Sequence, residues 1–293
     1  MKVIIHTGAH CTDEDRLLKS LLRNADTLRA AGVAVPGPGR YRKLLRDTLT
    51  SMRKTAPAED AREVILDAIL DEAPGNVRRL VLSNDSFFAA PRLALAGGIL
   101  YPLAEERLAY LAELFHEDEV VMAMGLRDPA SFLPALFASS RHTDFAEMLD
   151  GAAPEELRWS DLIARIRDAV PGLQMILWCN EDTAFVWADV LRAVGGLAPE
   201  AELAGDFDVA SDILTDLGTK RLAGYLKQTP PMKPAQRRRV MAAFLDRYAD
   251  PAKLEEEIDL PGWDDETVAR LSAAYEEDVA RIAAMPEVRF IRP

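Results

Sequence analysis

The stretch Val3-Ile4-Ile5-His6-Thr7-Gly8-Ala9-His10-Cys11-Thr12-Asp13-Glu14-Asp15-Arg16 decides the reading of this 293-residue chain. It joins a short apolar run to a glycine and then to a helical pattern, the frame of a strand, a tight turn and a helix start. Three further runs share its character: Arg79–Leu82, Val120–Met124 and Met175–Trp178. All four are continuous rather than alternating, which predicts strands buried on both faces of a parallel sheet. A weaker run at Val288–Ile291 predicts a last strand. Helical periodicity fills the intervals. Asp15–Ala31 places Leu17, Leu18, Leu21, Leu22, Ala25 and Leu28 on one face and stops at Gly32, with Pro36 beyond. Ala58–Glu72 and Glu105–Phe115 follow the same pattern. Strands alternating with helices predict a three-layer α/β/α fold with a central parallel sheet and right-handed crossovers. Residues 1–200 make up this core. Residues 201–293 read as a mostly helical C-terminal part packed on it, with breaks at Lys227–Pro234 and Leu260–Trp263 and a last helix over Asp264–Ala284.

Composition narrows the function classes. A hydrophobic share of 49% and a charged share of 28% are those of a globular protein, and no apolar run approaches the roughly 20 residues of a membrane span. The start of the chain carries no signal-peptide pattern and only two cysteines occur, Cys11 and Cys179, so a cytoplasmic protein without disulfides is expected. A net charge of −13 argues against nucleic-acid and anionic-membrane partners. Two basic clusters, Arg40–Arg46 and Arg237–Arg239, read as solvated helix faces; the competing reading has one of them lining a cleft for an anion.

In an open parallel sheet, ligands sit beyond the carboxyl ends of the strands, so the turn after Val3–His6 is the first candidate site. A helix start offers free N–H groups and partial positive charge to an anion, and Gly8 permits a tight path. The side chains point elsewhere. Thr12 reads as an N-cap, Thr12 and Asp15 are spaced like a capping box, and Asp13, Glu14 and Asp15 fill the first helical turn, where they complement the helix dipole without a ligand. Cys11 and Arg16 are separated by four residues, one fewer than a cysteine-phosphatase loop needs, and neighbouring acids disfavour the thiolate. His6, His10, Asp13 and Asp15 are of metal-ligating type, the basis of a metal-dependent hydrolase reading, but strand and helix positions do not ensure convergence.

Taken together, Val3–Pro36 resembles the opening of the sulfotransferase family, particularly its bacterial members. There an apolar strand leads to a loop that binds the 5′-phosphosulfate of 3′-phosphoadenosine 5′-phosphosulfate (PAPS), and a segment similar to Leu28–Pro36 follows the helix. Gly8, His10 and Thr12 match; Cys11 stands at the family's lysine, and Asp13–Asp15 replace small residues. Leu126–Phe137 resembles the 3′-phosphate segment, with Arg127 in place and Ala135 where the family has serine. Leu82–Phe88 is similar to the end of the family's second strand. The resemblance implies a general-base role there for Asp85; the alternative is that Ser83 and Asp85 cap a following helix. Ile176–Asp182 looks like the fourth strand and its acidic turn, and the tail from Leu260 to Val279 is similar to some bacterial members.

The resemblance implies PAPS-dependent sulfuryl transfer to a hydroxyl or amine on a small molecule or glycan. Arg127 would hold the 3′-phosphate and Gly8, His10, Cys11 and Thr12 the 5′ end. Asp85 or His10 would be the base, and Arg42 or Lys43 would replace the lysine. Because Cys11 and Ala135 fall at the two ends of the donor, the residues equally support a relative that kept the fold as a binding or interaction protein and lost the donor site.

Overall fold

The computed structural model describes residues 1–229, 232–254, 258, 260 and 262–293. Six parallel strands form its central sheet: β1 (Lys2–His6), β2 (Val33–Ala34), β3 (Arg79–Ser83), β4 (Glu119–Leu126), β5 (Gln174–Cys179) and β6 (Val288–Ile291), in the order β2-β3-β1-β4-β5-β6. Each apolar run named from the sequence is one of these strands, with up to three residues added at its ends. The continuous pattern has the expected cause. Val3, Ile4 and Ile5 are fully buried although their side chains alternate between faces. Val3 and Ile5 pack with Tyr41, Leu45, Phe88, Tyr101 and Trp159 on one side, and Ile4 with Leu17, Leu21, Val186, Trp178 and Trp187 on the other. The three-layer α/β/α architecture follows from two apolar faces, each needing a helical cover. Ile4→Ala, which would leave a hole in the second layer, should cost about 2–5 kcal/mol, read from a urea midpoint that falls with an unchanged m-value.

The topology positions the site. After β1 the chain runs outward to β2, returns to β3 beside β1, and then crosses to β4 on the other side of β1. The connections leaving β1 and β4 therefore depart in opposite directions, and the carboxyl ends of these two strands flank the switch point of the sheet.

Several local readings change. The helix expected over Asp15–Ala31 is two helices, Arg16–Arg23 and Ala25–Ala30. Asn24 divides them: its amide donates to Ser20 O and Ala204 O and accepts from Ala204 N–H, a side-chain competition for backbone groups that bends helices. Ala61–Ile69 and Ala104–Leu114 are the helices expected over Ala58–Glu72 and Glu105–Phe115. The proline break at Lys227–Pro234 lies between helices Asp216–Gln228 and Pro234–Tyr248, with Pro230 and Pro231 outside the described residues; Pro261 of the second break is outside them too. The last helix, Asp265–Ala283, is capped by the Asp264 carboxylate on Thr267 N–H.

The C-terminal part is built into the core. β6 pairs with β5, and the last helix with the residues leading into it buttresses the region after β4: Tyr275 Oη donates to Leu126 O, Ser272 Oγ to the Asp128 carboxylate, and Trp263 Nε1, ahead of the helix, to Ala130 O. Its buried Asp278 accepts from Ser160 N–H at the start of helix Trp159–Ala169. Among the described residues no helix is long and apolar enough to cross a membrane.

The basic clusters divide. Arg40, Lys43 and Arg46 lie outward, paired with Asp71 or Asp47, as a solvated face requires. Arg237 departs from the solvated reading: it is 7% exposed, donates to Met232 O and Pro199 O, and lies beside Asp206, whose carboxylate is held by buried Arg192.

Candidate functional site

The loop from Thr7 to Asp15 leaves β1 at the switch point. Thr7 N–H donates to Ala123 O, extending the strand pairing by one residue. Gly8 then turns at φ +57°, where a Cβ would come within 3.4 Å of the Asp85 Cα and Cβ. Three non-glycine residues of the loop also adopt left-handed backbone: Cys11, Glu14 and Asp15. Such conformations are disfavoured for side chains other than Asn and Asp, so the surroundings must hold them.

What holds them is a set of internal bonds. The structure corrects the capping pattern read from the sequence. Thr12 Oγ1 donates backwards to Ala9 O at 2.6 Å and caps nothing. The acids precede the helix instead of filling its first turn, since the helix begins at Arg16. The cap is Asp13: its carboxylate accepts from Leu17 N–H at 2.9 Å and from Asp15 N–H at 3.3 Å. Asp15, standing at the N-cap position with φ 64°, turns its own carboxylate onto both terminal nitrogens of Arg42. This bidentate bond holds the Asp15 carboxyl below its usual range. Arg42 also donates from Nε to Ser83 O, which accepts from Tyr41 Oη as well. The start of helix Pro38–Met52 thereby ties the loop after β1 to the end of β3. Lys43 is not brought to the loop; it is bonded to Asp47.

Arg127, at the end of β4, does meet the loop. It is 7% exposed, with Nη1 donating to Cys11 O at 2.6 Å and Nε to Ser131 Oγ at 2.9 Å. Ser131, rather than the position held by Ala135, supplies its hydroxyl. The Trp159 indole on Arg127 O fixes the backbone there. Arg127, expected at one end of a nucleotide with the Gly8–Thr12 loop at the other, is instead in direct contact with that loop through Cys11 O.

The two candidate bases have different surroundings. Asp85 is half-buried beside Gly8, accepts from Ser86 Oγ and caps no helix; a turn follows it, and Ser83 Oγ bonds His6 Nδ1 instead. His10 is 1% exposed. Its own N–H donates to Tyr101 Oη at 3.0 Å and its Nδ1 lies 2.7 Å from the same hydroxyl. A phenol that accepts one proton has its own left to give, so Tyr101 donates to Nδ1 and the imidazole proton sits on Nε2. Burial keeps both His6 and His10 below the ordinary value of 6.5, against the pull of Asp85 on each. Buried and bonded twice to Tyr101 Oη, His10 is held in place within the loop. Tyr101 was not singled out in the sequence; its φ of 48°, adopted in a turn, has no local signal.

The remaining chemistries lose their geometry. Cys11 Sγ is 3.5 Å from Ser139 Oγ, and Arg16 pairs with Asp212, so the two do not ring a phosphate. Among the described residues no group of three or more His, Cys, Asp or Glu could hold a metal ion; His6, His10, Asp13 and Asp15 are not gathered as ligands. Beside the loop remains a cleft of about 280 Å³, reached by Cys11–Glu14 on one side and Asn180–Ala184 on the other. No family model, no curated protein and no solved structure matches the chain.

Proposed function

We propose that the chain is a protein of sulfotransferase-like fold whose anion loop is shut by its own carboxylates, and that it acts as a binding or interaction protein. The observation that carries this reading is the Asp13 carboxylate seated on the amides of Asp15 and Leu17. Those are donors that a helix start would offer to a phosphate. Magnitudes favour the internal acid. A helix N-terminus is worth about 0.3–1 kcal/mol to an anion. One carboxylate about 4 Å away opposes it by about 1 kcal/mol in water and about 4 kcal/mol at an effective dielectric of 20. Asp13 and Glu14 both stand there, Asp15 is neutralised by Arg42, and Cys11 brings no compensating charge.

PAPS-dependent sulfuryl transfer is the second reading, favoured by the meeting of Arg127 with the loop and by Asp85 against Gly8. In it Arg127 would hold the 3′-phosphate, the Gly8–Thr12 backbone the 5′ end, and Asp85 would take the proton of an acceptor hydroxyl or amine. The charge developing on transfer would need Arg42, which would first have to leave Asp15. Thermal unfolding with and without PAP, the desulfonated nucleotide, separates the two. A closed loop gives the same midpoint at about millimolar PAP. A rise of several degrees that disappears in Arg127→Ala would restore the transferase.

A further inference from the structure

The closed loop leaves the switch point with a cleft of a different character. Its wall is made by Cys11–Glu14, by the turn after β5 and by Val209 and Ile213. Clefts at the carboxyl ends of parallel strands, walled by apolar residues with a few polar ones, are where small ligands bind. This one is acidic. Asp13, Glu14 and Glu181 line it, and Arg16, the one basic residue among its described lining, is paired with Asp212 at 2.9 Å. Glu14 is exposed, so its carboxylate faces no desolvation before meeting a ligand.

A second observation is independent of the acids. Trp187 also lines the cleft, is 1% exposed, and its indole N–H has no acceptor among the described residues. A buried donor left unpaired is destabilising, and an oxygen delivered by a ligand would satisfy it. Two other indoles do have acceptors: Trp159 gives to Arg127 O and Trp263 to Ala130 O.

We infer that this cleft takes a small organic amine that also carries a hydrogen-bond-accepting oxygen, its ammonium toward Asp13 and Glu14 and its oxygen on the Trp187 indole. The inference rests on the closed-loop reading and gives it a ligand class: where the fold would place an anion, this chain takes a cation. The volume, roughly nine times that of a water in the liquid, suits a small molecule of up to about ten heavy atoms.

The test follows the four tryptophan indole resonances of the ¹⁵N-labelled full chain. Trp187 is identified by Trp187→Phe or, if that variant does not fold, by through-bond side-chain correlation. Ethanolamine is the probe, with butylamine and sulfate as controls. The expected result is a saturable shift of the Trp187 resonance by ethanolamine, weaker with butylamine and absent with sulfate. Glu14→Gln should weaken the ethanolamine shift by about fivefold, the factor that about 1 kcal/mol of charge attraction gives. An unmoved Trp187 resonance, or equal binding by Glu14→Gln, overturns the amine proposal and leaves the closed loop standing. A saturable shift by sulfate overturns the closed loop itself.

Discussion

Moving from about pH 7.5 to about pH 5.5 should lower the unfolding free energy by up to about 3 kcal/mol, because two buried histidines must stay neutral in the fold. The sign comes from the direction of their shifts. Burial holds His6 and His10 below 6.5 in the folded chain, so the unfolded chain binds more protons in the window beneath 6.5. Their contribution is fully present above that value and is lost as pH falls toward their folded values, at about 1.4 kcal/mol per unit for each. Around His6 the carboxylates of Asp13, Asp85 and Asp15 oppose the shift and Arg42 adds to it, so His6 titrates within the closed loop's own network. The loss would be read from urea midpoints at the two pH values, and His6→Gln should remove about half of it. A chain equally stable at both would mean that water or charge reaches these rings.

The second large effect is a gain. Replacing Asp13 by Gly and Cys11 by Lys removes the internal anion and supplies the missing cation. The double variant should bind PAP at least tenfold more tightly than the wild-type chain, which corresponds to about 1.4 kcal/mol and is conservative for a change of two charges. Loss of the Asp13 cap carries a cost of about 0.5–2 kcal/mol in helix stability, so a lower unfolding temperature should accompany the gain. Binding that is no tighter in the double variant would locate the obstacle elsewhere, with Arg127 and its hold on Cys11 O as the next place to change.

The parts of this fold that were legible are those where one physical cause acts over consecutive residues. Val3–Ile5, Leu80–Leu82, Val121–Met124 and Met175–Trp178 are apolar without interruption because both faces of the sheet are covered, and that condition is written directly in the residues. Val33–Ala34 was missed as a strand because two residues carry no period, and the helix break at Asn24 because its partner, Ala204, is 180 residues away. The site divides in the same way. Gly8 and Arg127 stand in segments that the sequence marks as following strands, but the bond from Arg127 to Cys11 O is not written there. That Asp13 and not Thr12 caps the helix depends on three left-handed backbone residues, which composition does not announce. The Asp15–Arg42 bond and the Tyr101 hydroxyl under His10 are long-range contacts, set by how the layers pack rather than by local spacing.

The central claim is that this loop has exchanged a bound anion for its own carboxylates. Calorimetric titration of the purified wild-type chain with PAP at moderate salt tests it most directly. The account predicts no heat of binding up to about millimolar nucleotide, with saturable heat appearing only in the chain carrying Gly in place of Asp13 and Lys in place of Cys11. Micromolar binding by the wild-type chain, abolished by Arg127→Ala, would contradict it and make the switch point a working donor site.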